Sequence, residues 1–176
     1  MKKRGFEIVS FNQWLKDAWE MDTIQYDNLL DTSFKYRIIF SYAEIEVPKR
    51  ATSHSAGYDV FSTKEINLFP GEDTTMPLGW KVYMLEDEKL SFYPRSGLGF
   101  KYYLRLANTT GIIDSDYYNN NGNEGHCWLK IRNEGDKEIE IKKGMAIVQC
   151  VFEKYLITDD DNFNGNIRLG GLGSTS

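Results

Sequence analysis

The chain has 176 residues, a formal net charge of −5 and two cysteines, Cys127 and Cys150. That length suits one domain with a substantial core. The acidic balance argues against a general nucleic-acid surface, and two cysteines make no disulfide framework, so buried free thiols are expected.

The basic start, Met1-Lys2-Lys3-Arg4, is not followed by the apolar run of a signal peptide, and no stretch reaches the length of a membrane span. A cytoplasmic protein is expected. Ser10 followed by Gln13 is a capping-box pattern, and Phe11, Trp14, Leu15, Ala18 and Trp19 then share one helical face. A second short helix is predicted over 22–30. This helical extension, residues 1–35, either packs on the outside of the main domain or offers a docking surface to a protein partner. The aromatics favour packing, because they are costly to leave in water.

From Tyr36 the texture becomes β-rich. Strands are predicted over Arg37–Val47, Tyr58–Ser62, Glu65–Phe69, Trp80–Met84, Leu90–Tyr93, Tyr103–Ala107, His126–Arg132, Glu138–Ile141 and Ile147–Tyr155. Turn signals at Pro70-Gly71, Asn133 to Asp136 and Lys143-Gly144 separate several of them. Many short strands at this spacing indicate an all-β sandwich or barrel. The core is placed at 36–158, and the polar, Gly-rich stretch 159–176 reads as an arm that stays mobile until something orders it.

Four segments carry candidate chemistry. In Pro94-Arg95-Ser96-Gly97-Leu98-Gly99 the glycines allow close backbone approach to an anion, Arg95 adds a planar fork and Ser96 a hydroxyl. Read alone, it is only a basic turn without a following amphipathic helix, and most such turns are structural. In Gly111-Ile112-Ile113-Asp114-Ser115-Asp116-Tyr117, Asp114 falls at the end of a strand expected to be buried, where a carboxylate can activate water. Ala56-Gly57-Tyr58-Asp59 leads tightly into a strand with an acid attached. Gly170 to Thr175 is a second possible phosphate clamp. His54, His126 and the cysteines lack the paired spacing of a zinc site.

Together these segments resemble the five ordered motifs of the trimeric dUTPase family. Ser55 to Asp59 resembles the first, Pro94 to Gly99 the second, and Leu106-Ala107-Asn108 with Gly111 to Tyr117 the third. Gly144 to Gln149 partly matches the fourth, and Gly170 to Thr175 is close to the fifth. The resemblance implies an all-β, jelly-roll-like (β-clip) fold with a short N-terminal helical extension, assembled as a homotrimer with shared active sites. It implies hydrolysis of dUTP to dUMP and pyrophosphate. Asp114 would be the catalytic carboxylate. Arg95, Ser96, Gly97, Gln149, Arg168, Ser174 and Thr175 would hold phosphates. Asn108, Gly111, Ile113, Tyr117 and Leu172 would read base and sugar, and Asp59 would support the phosphate side from behind. Mg²⁺ would be held mainly by substrate phosphates and water, with no direct protein ligand.

The chain departs from the pattern in places. Leu172 stands where the arm usually carries an aromatic, so stacking is weakened or supplied by Trp128 or a tyrosine. Ala146 stands where the fourth motif usually has arginine. Tyr118 to Gly125 is an insertion. Two other readings remain on sequence alone: a dCTP deaminase relative, although Lys130 occupies the position where that family places a glutamate, and a nucleotide-switched protein-binding regulator on the same fold.

Overall fold

Along Trp128–Asn133 buried and exposed residues alternate, and this two-residue period recurs over Ile66–Leu68 and Ile139–Ile141. The structure is a computed structural model and describes residues 2–21, 32–163, 165, 168 and 170. In chain order the described elements are β1 (Gly5–Ile8), α1 (Phe11–Met21), α2 (Thr32–Ala43), β2 (Tyr58–Phe61), β3 (Ile66–Leu68), β4 (Asp73–Pro77), β5 (Trp80–Tyr83) and β6 (Glu88–Pro94). There follow α3 (Ser96–Tyr102), β7 (Leu104–Leu106), β8 (Gly111–Asp114), a 3-10 turn (Ser115–Tyr117), β9 (Trp128–Asn133), β10 (Ile139–Ile141) and β11 (Ala146–Lys154).

The strands form antiparallel sheets ordered β2-β11-β6-β8, β4-β9-β7, β1-β5 and β10-β3. Val60, Met76, Trp80, Leu90, Ile131 and Ile147 are essentially inaccessible between them. Each such side chain contributes about 1.5–3 kcal/mol by leaving water. The mostly-β architecture agrees with the β-clip expectation. Cys127 and Cys150 are buried free thiols, and burial pushes both above their usual range. Among the described residues no helix is long and apolar enough to cross a membrane.

Several elements differ from expectation. Arg37–Val47 is not a strand; α2 runs through Ala43. Its β-rich composition is overridden by spacing, since Ile38, Tyr42 and Ile45 all turn toward Val9, Trp14 and Ala18. The segment read as a basic turn opens helix α3, which Tyr103 closes in the left-handed region at φ 54°. β1 and β4 had no strong pattern of their own and form by pairing with β5 and β9. β8 is an edge strand with Ile112 exposed, not a buried strand. The helix expected over 22–30 lies outside the described residues.

Helix α1 packs its apolar face on the chain's own core, with Trp14 and Ala18 buried. Trp14 and Ala18 of that face are therefore spent within the chain.

Candidate active site

Antiparallel register brings the phosphate-side residues together. Asp59 in β2 lies opposite Gln149 in β11, and β11 pairs onward with β6, which ends just before Arg95. Arg95 Nε is 2.9 Å from Asp59 Oδ1, and its Nη1 donates to the Ala146 carbonyl at 2.9 Å. Gln149 Nε2 donates to the Pro94 carbonyl at 3.3 Å. Gly57 lies close beside them: a Cβ there would meet Gln149 Oε1 at 2.5 Å, so a side chain at 57 would push the Gln149 amide aside. Asp59 thus fixes the guanidinium that the sequence assigned to phosphate. Ser96 opens α3, whose first amides have no partner inside the helix. Gly97 borders open space.

The acid lies elsewhere. Asp114 ends β8 with its side chain half exposed, and the following turn carries Asp116 outward and Tyr117 inward. Arg168 reaches both acids, with Nη2 2.5 Å from Asp114 Oδ2 and Nε 2.8 Å from Asp116 Oδ1. The same guanidinium lies over the Tyr117 ring, 5.8 Å from its centre. Tyr117 donates its hydroxyl to the His126 carbonyl at 2.9 Å and accepts from Asn123 Nδ2 at 2.7 Å. Burial pushes its phenol up to about 12. The ring is therefore a fixed wall with its polar end already satisfied.

A cleft of about 420 Å³ between α2 and the Lys143-Gly144 turn holds none of the predicted residues. A smaller one, about 350 Å³, is lined by Asn108 and Gly111 together with Phe92, Ala107 and Trp128. It is largely apolar with a few polar edges, as a base slot requires. Gly111 sits close on the Phe92 ring, where a Cβ would approach to 3.2 Å. The hairpin tip holds Thr109 at φ 66°, an uncommon conformation for a β-branched residue and a mark of a constrained loop. Ile113 turns its side chain onto the core. Leu172, Ser174 and Thr175 lie outside the described residues.

The predicted residues fall into two groups in one chain. Asp114 is opposite Lys89 at one end of β6, and Arg95 follows the other end. At ~3.3 Å per residue the strand path between Lys89 and Arg95 is about 20 Å, too far for one chain to place both on one phosphate. Sequence reasoning missed His126 and Asn123, which anchor Tyr117. A backbone carbonyl leaves no signature in sequence, and Asn123 lay in what read as an insertion. Among the described residues no cluster of three His, Cys, Asp or Glu could cage a metal ion.

The sequence model of the dUTPase family matches residues 43–174. A deoxyuridine 5'-triphosphate nucleotidohydrolase of Lactococcus lactis is 44% identical over 176 residues, covering 99% of this chain and 99% of that one. A crystal structure of dUTPase from Streptococcus mutans has a TM-score of 0.61 at 32% identity, covering 88% of this chain and 98% of the other. A dUTPase mutant from phage phi11 of S. aureus, described with a structural Mg(II) ion, has a TM-score of 0.55 and covers 68% of this chain and 90% of its own. At 20% identity that last likeness is one of fold alone. The chain belongs to the dUTPase family.

Proposed function

We propose that this chain hydrolyses dUTP to dUMP and pyrophosphate in sites shared between the subunits of a homotrimer. The observation that carries the shared site is the position of Asp114 and Arg95 at opposite ends of β6. Each chain then lends an acid and base slot to one site and a phosphate cradle to another.

In this reading the uracil enters the slot between β6, β8 and β9, where Asn108 and backbone groups near Gly111 meet its polar edge. Trp128 offers the aromatic face that a leucine at 172 lacks. The deoxyribose packs on Tyr117, which leaves no space for a 2′-hydroxyl. Asp114 accepts a proton from a water, and that water attacks the α-phosphorus. Arg95, Ser96, Gly97 and Gln149 of another subunit, with Arg168, Ser174 and Thr175, hold the phosphates and the charge that grows on departing pyrophosphate. Magnesium carried by the triphosphate and water would neutralise phosphate charge. Asp59 holds Arg95 in place through the 2.9 Å pair.

Deamination of a cytosine is disfavoured. Among the described residues lining the base slot none carries a carboxylate, and Lys130 there is paired with Asp73 at 3.1 Å. The test is pyrophosphate release from dUTP, dTTP, UTP and dCTP with Mg²⁺. Turnover of dUTP alone is expected. Asp114→Asn should abolish it while nucleotide still binds; an active Asp114→Asn enzyme removes Asp114 as the base.

A further inference from the structure

The N-terminal segment grips the turn after Asp114 at three places. Tyr118 donates its hydroxyl to Glu7 Oε2 at 2.6 Å. Glu124 accepts from the Ser10 amide at 3.0 Å and from the Ser10 hydroxyl. Here the capping box expected from Ser10 and Gln13 is only half made. The Gln13 amide donates to Ser10 Oγ at 3.1 Å, but the Gln13 side chain turns to Asp17 Oδ2 at 2.7 Å. Glu124, a residue of the insertion, takes over the other half and caps α1 from outside.

The third contact is buried. Asp17 Oδ2 bonds His126 Nδ1, and the Gly79 amide donates to His126 Nε2 at 2.8 Å. An amide only donates, so Nε2 is the bare nitrogen and Nδ1 carries its proton toward Asp17. Both side chains are almost wholly buried. His126 is thereby held through its ring by α1, and through its carbonyl it holds the Tyr117 hydroxyl at 2.9 Å. The intervening loop needs such support: Asn119 and Glu124 have φ of 55° and 58°, and neither is glycine. Conformations of that kind persist only where their surroundings fix them.

We infer that residues 4–18 form a brace for the sugar-reading wall, with Asp17 and His126 as positioning residues for Tyr117. This rests on the sugar-packing role proposed above for Tyr117. The brace lies before residue 43, where the match to the family's sequence model begins, so it is supplied by the extension. Its effect is discrimination between deoxyribose and ribose, while the base is read separately at Asn108 and Gly111.

The test compares Asp17→Ala, Asp17→Asn and Tyr117→Ala for kcat and KM on dUTP, UTP and dTTP, with melting temperature alongside. Asp17→Ala should lower the dUTP-over-UTP ratio of kcat/KM about tenfold, the scale of loss when a positioning group lets a site drift by a fraction of an ångström. The dUTP-over-dTTP ratio should hold. Asp17→Asn, whose carbonyl still accepts from His126 Nδ1, should recover the sugar ratio. If Asp17→Ala melts lower yet keeps the wild-type sugar ratio, the contact is only structural and the inference is overturned. If Asp17→Ala does not fold, Glu124→Ala must show the same sugar-specific loss, and an unchanged ratio there overturns it. An unchanged ratio in Tyr117→Ala places the failure in the sugar role of Tyr117, and the brace falls with it.

Discussion

Arg168 is bonded to Asp114, Nη2 to Oδ2 at 2.5 Å, so a residue of the Gly-rich arm engages one oxygen of the carboxylate that ends β8. The same guanidinium also holds Asp116 at 2.8 Å. A planar fork that satisfies carboxylates equally fits phosphate oxygens. An arriving triphosphate would compete for it and release Asp114 from the ion pair.

Arg168→Ala is therefore expected to lower kcat/KM for dUTP about a hundredfold, the usual cost of losing one donor to a developing phosphate charge. Steady-state kinetics checks this. An unchanged kcat/KM would remove Arg168 from the reaction.

A shared site predicts complementation. Asp114→Asn and Arg95→Ala chains should each be inactive alone. Unfolded together and refolded as mixed trimers, they should regain about a quarter of wild-type activity, since random closed assembly pairs an intact acid with an intact cradle in that share of sites. No recovery from confirmed mixed trimers would mean that acid and cradle do not come from different chains.

Gly125 should tolerate no side chain. Its φ is 78°, and a Cβ there would lie 2.5 Å from the Tyr117 carbonyl oxygen and 3.0 Å from Tyr118 Cα. Both are backbone atoms that cannot swing away. Gly125→Ala is expected to cost about 2 kcal/mol, the scale of a strained backbone position. It should also weaken sugar discrimination. Denaturant unfolding measures the first effect, and an unchanged midpoint would show that the loop repacks freely.

Acid should loosen the N-terminal segment before the core. Arg4 bonds Glu88 and, against the upward push of burial, holds its carboxyl below the ordinary 4.5. Burial also pushes Glu124 upward, and the Ser10 bonds overcome it, so that carboxyl too lies below 4.5. For groups depressed on folding, the stabilisation is present above the unfolded value and is lost as pH falls through the folded one. Amide exchange in β1 should therefore rise relative to β6 below about pH 4.5, and Glu88→Gln should flatten that dependence. Parallel exchange in both strands at every pH would show that the segment and the core open as one unit.

The candidate site residues were named from the chain itself. Arg95 and Asp114 are a cationic fork and an acid whose residue types are visible in the sequence, and Gly57, Gly97 and Gly111 mark where the backbone can be closely approached. Most strand positions were equally readable, because β9 and β10 carry a two-residue alternation that needs no partner to be seen. Tertiary structure decided the rest. Arg37–Val47 has strand composition, yet packing of Ile38 and Tyr42 on α1 makes it helical as far as Ala43. The support of Tyr117 by His126 runs through a backbone carbonyl, which every residue possesses and no sequence marks. The separation of acid from cradle followed from the pairing of Asp114 with Lys89. Register arises from contacts between segments distant in sequence, so residue order fixed which groups were present, and only pairing fixed which of them meet.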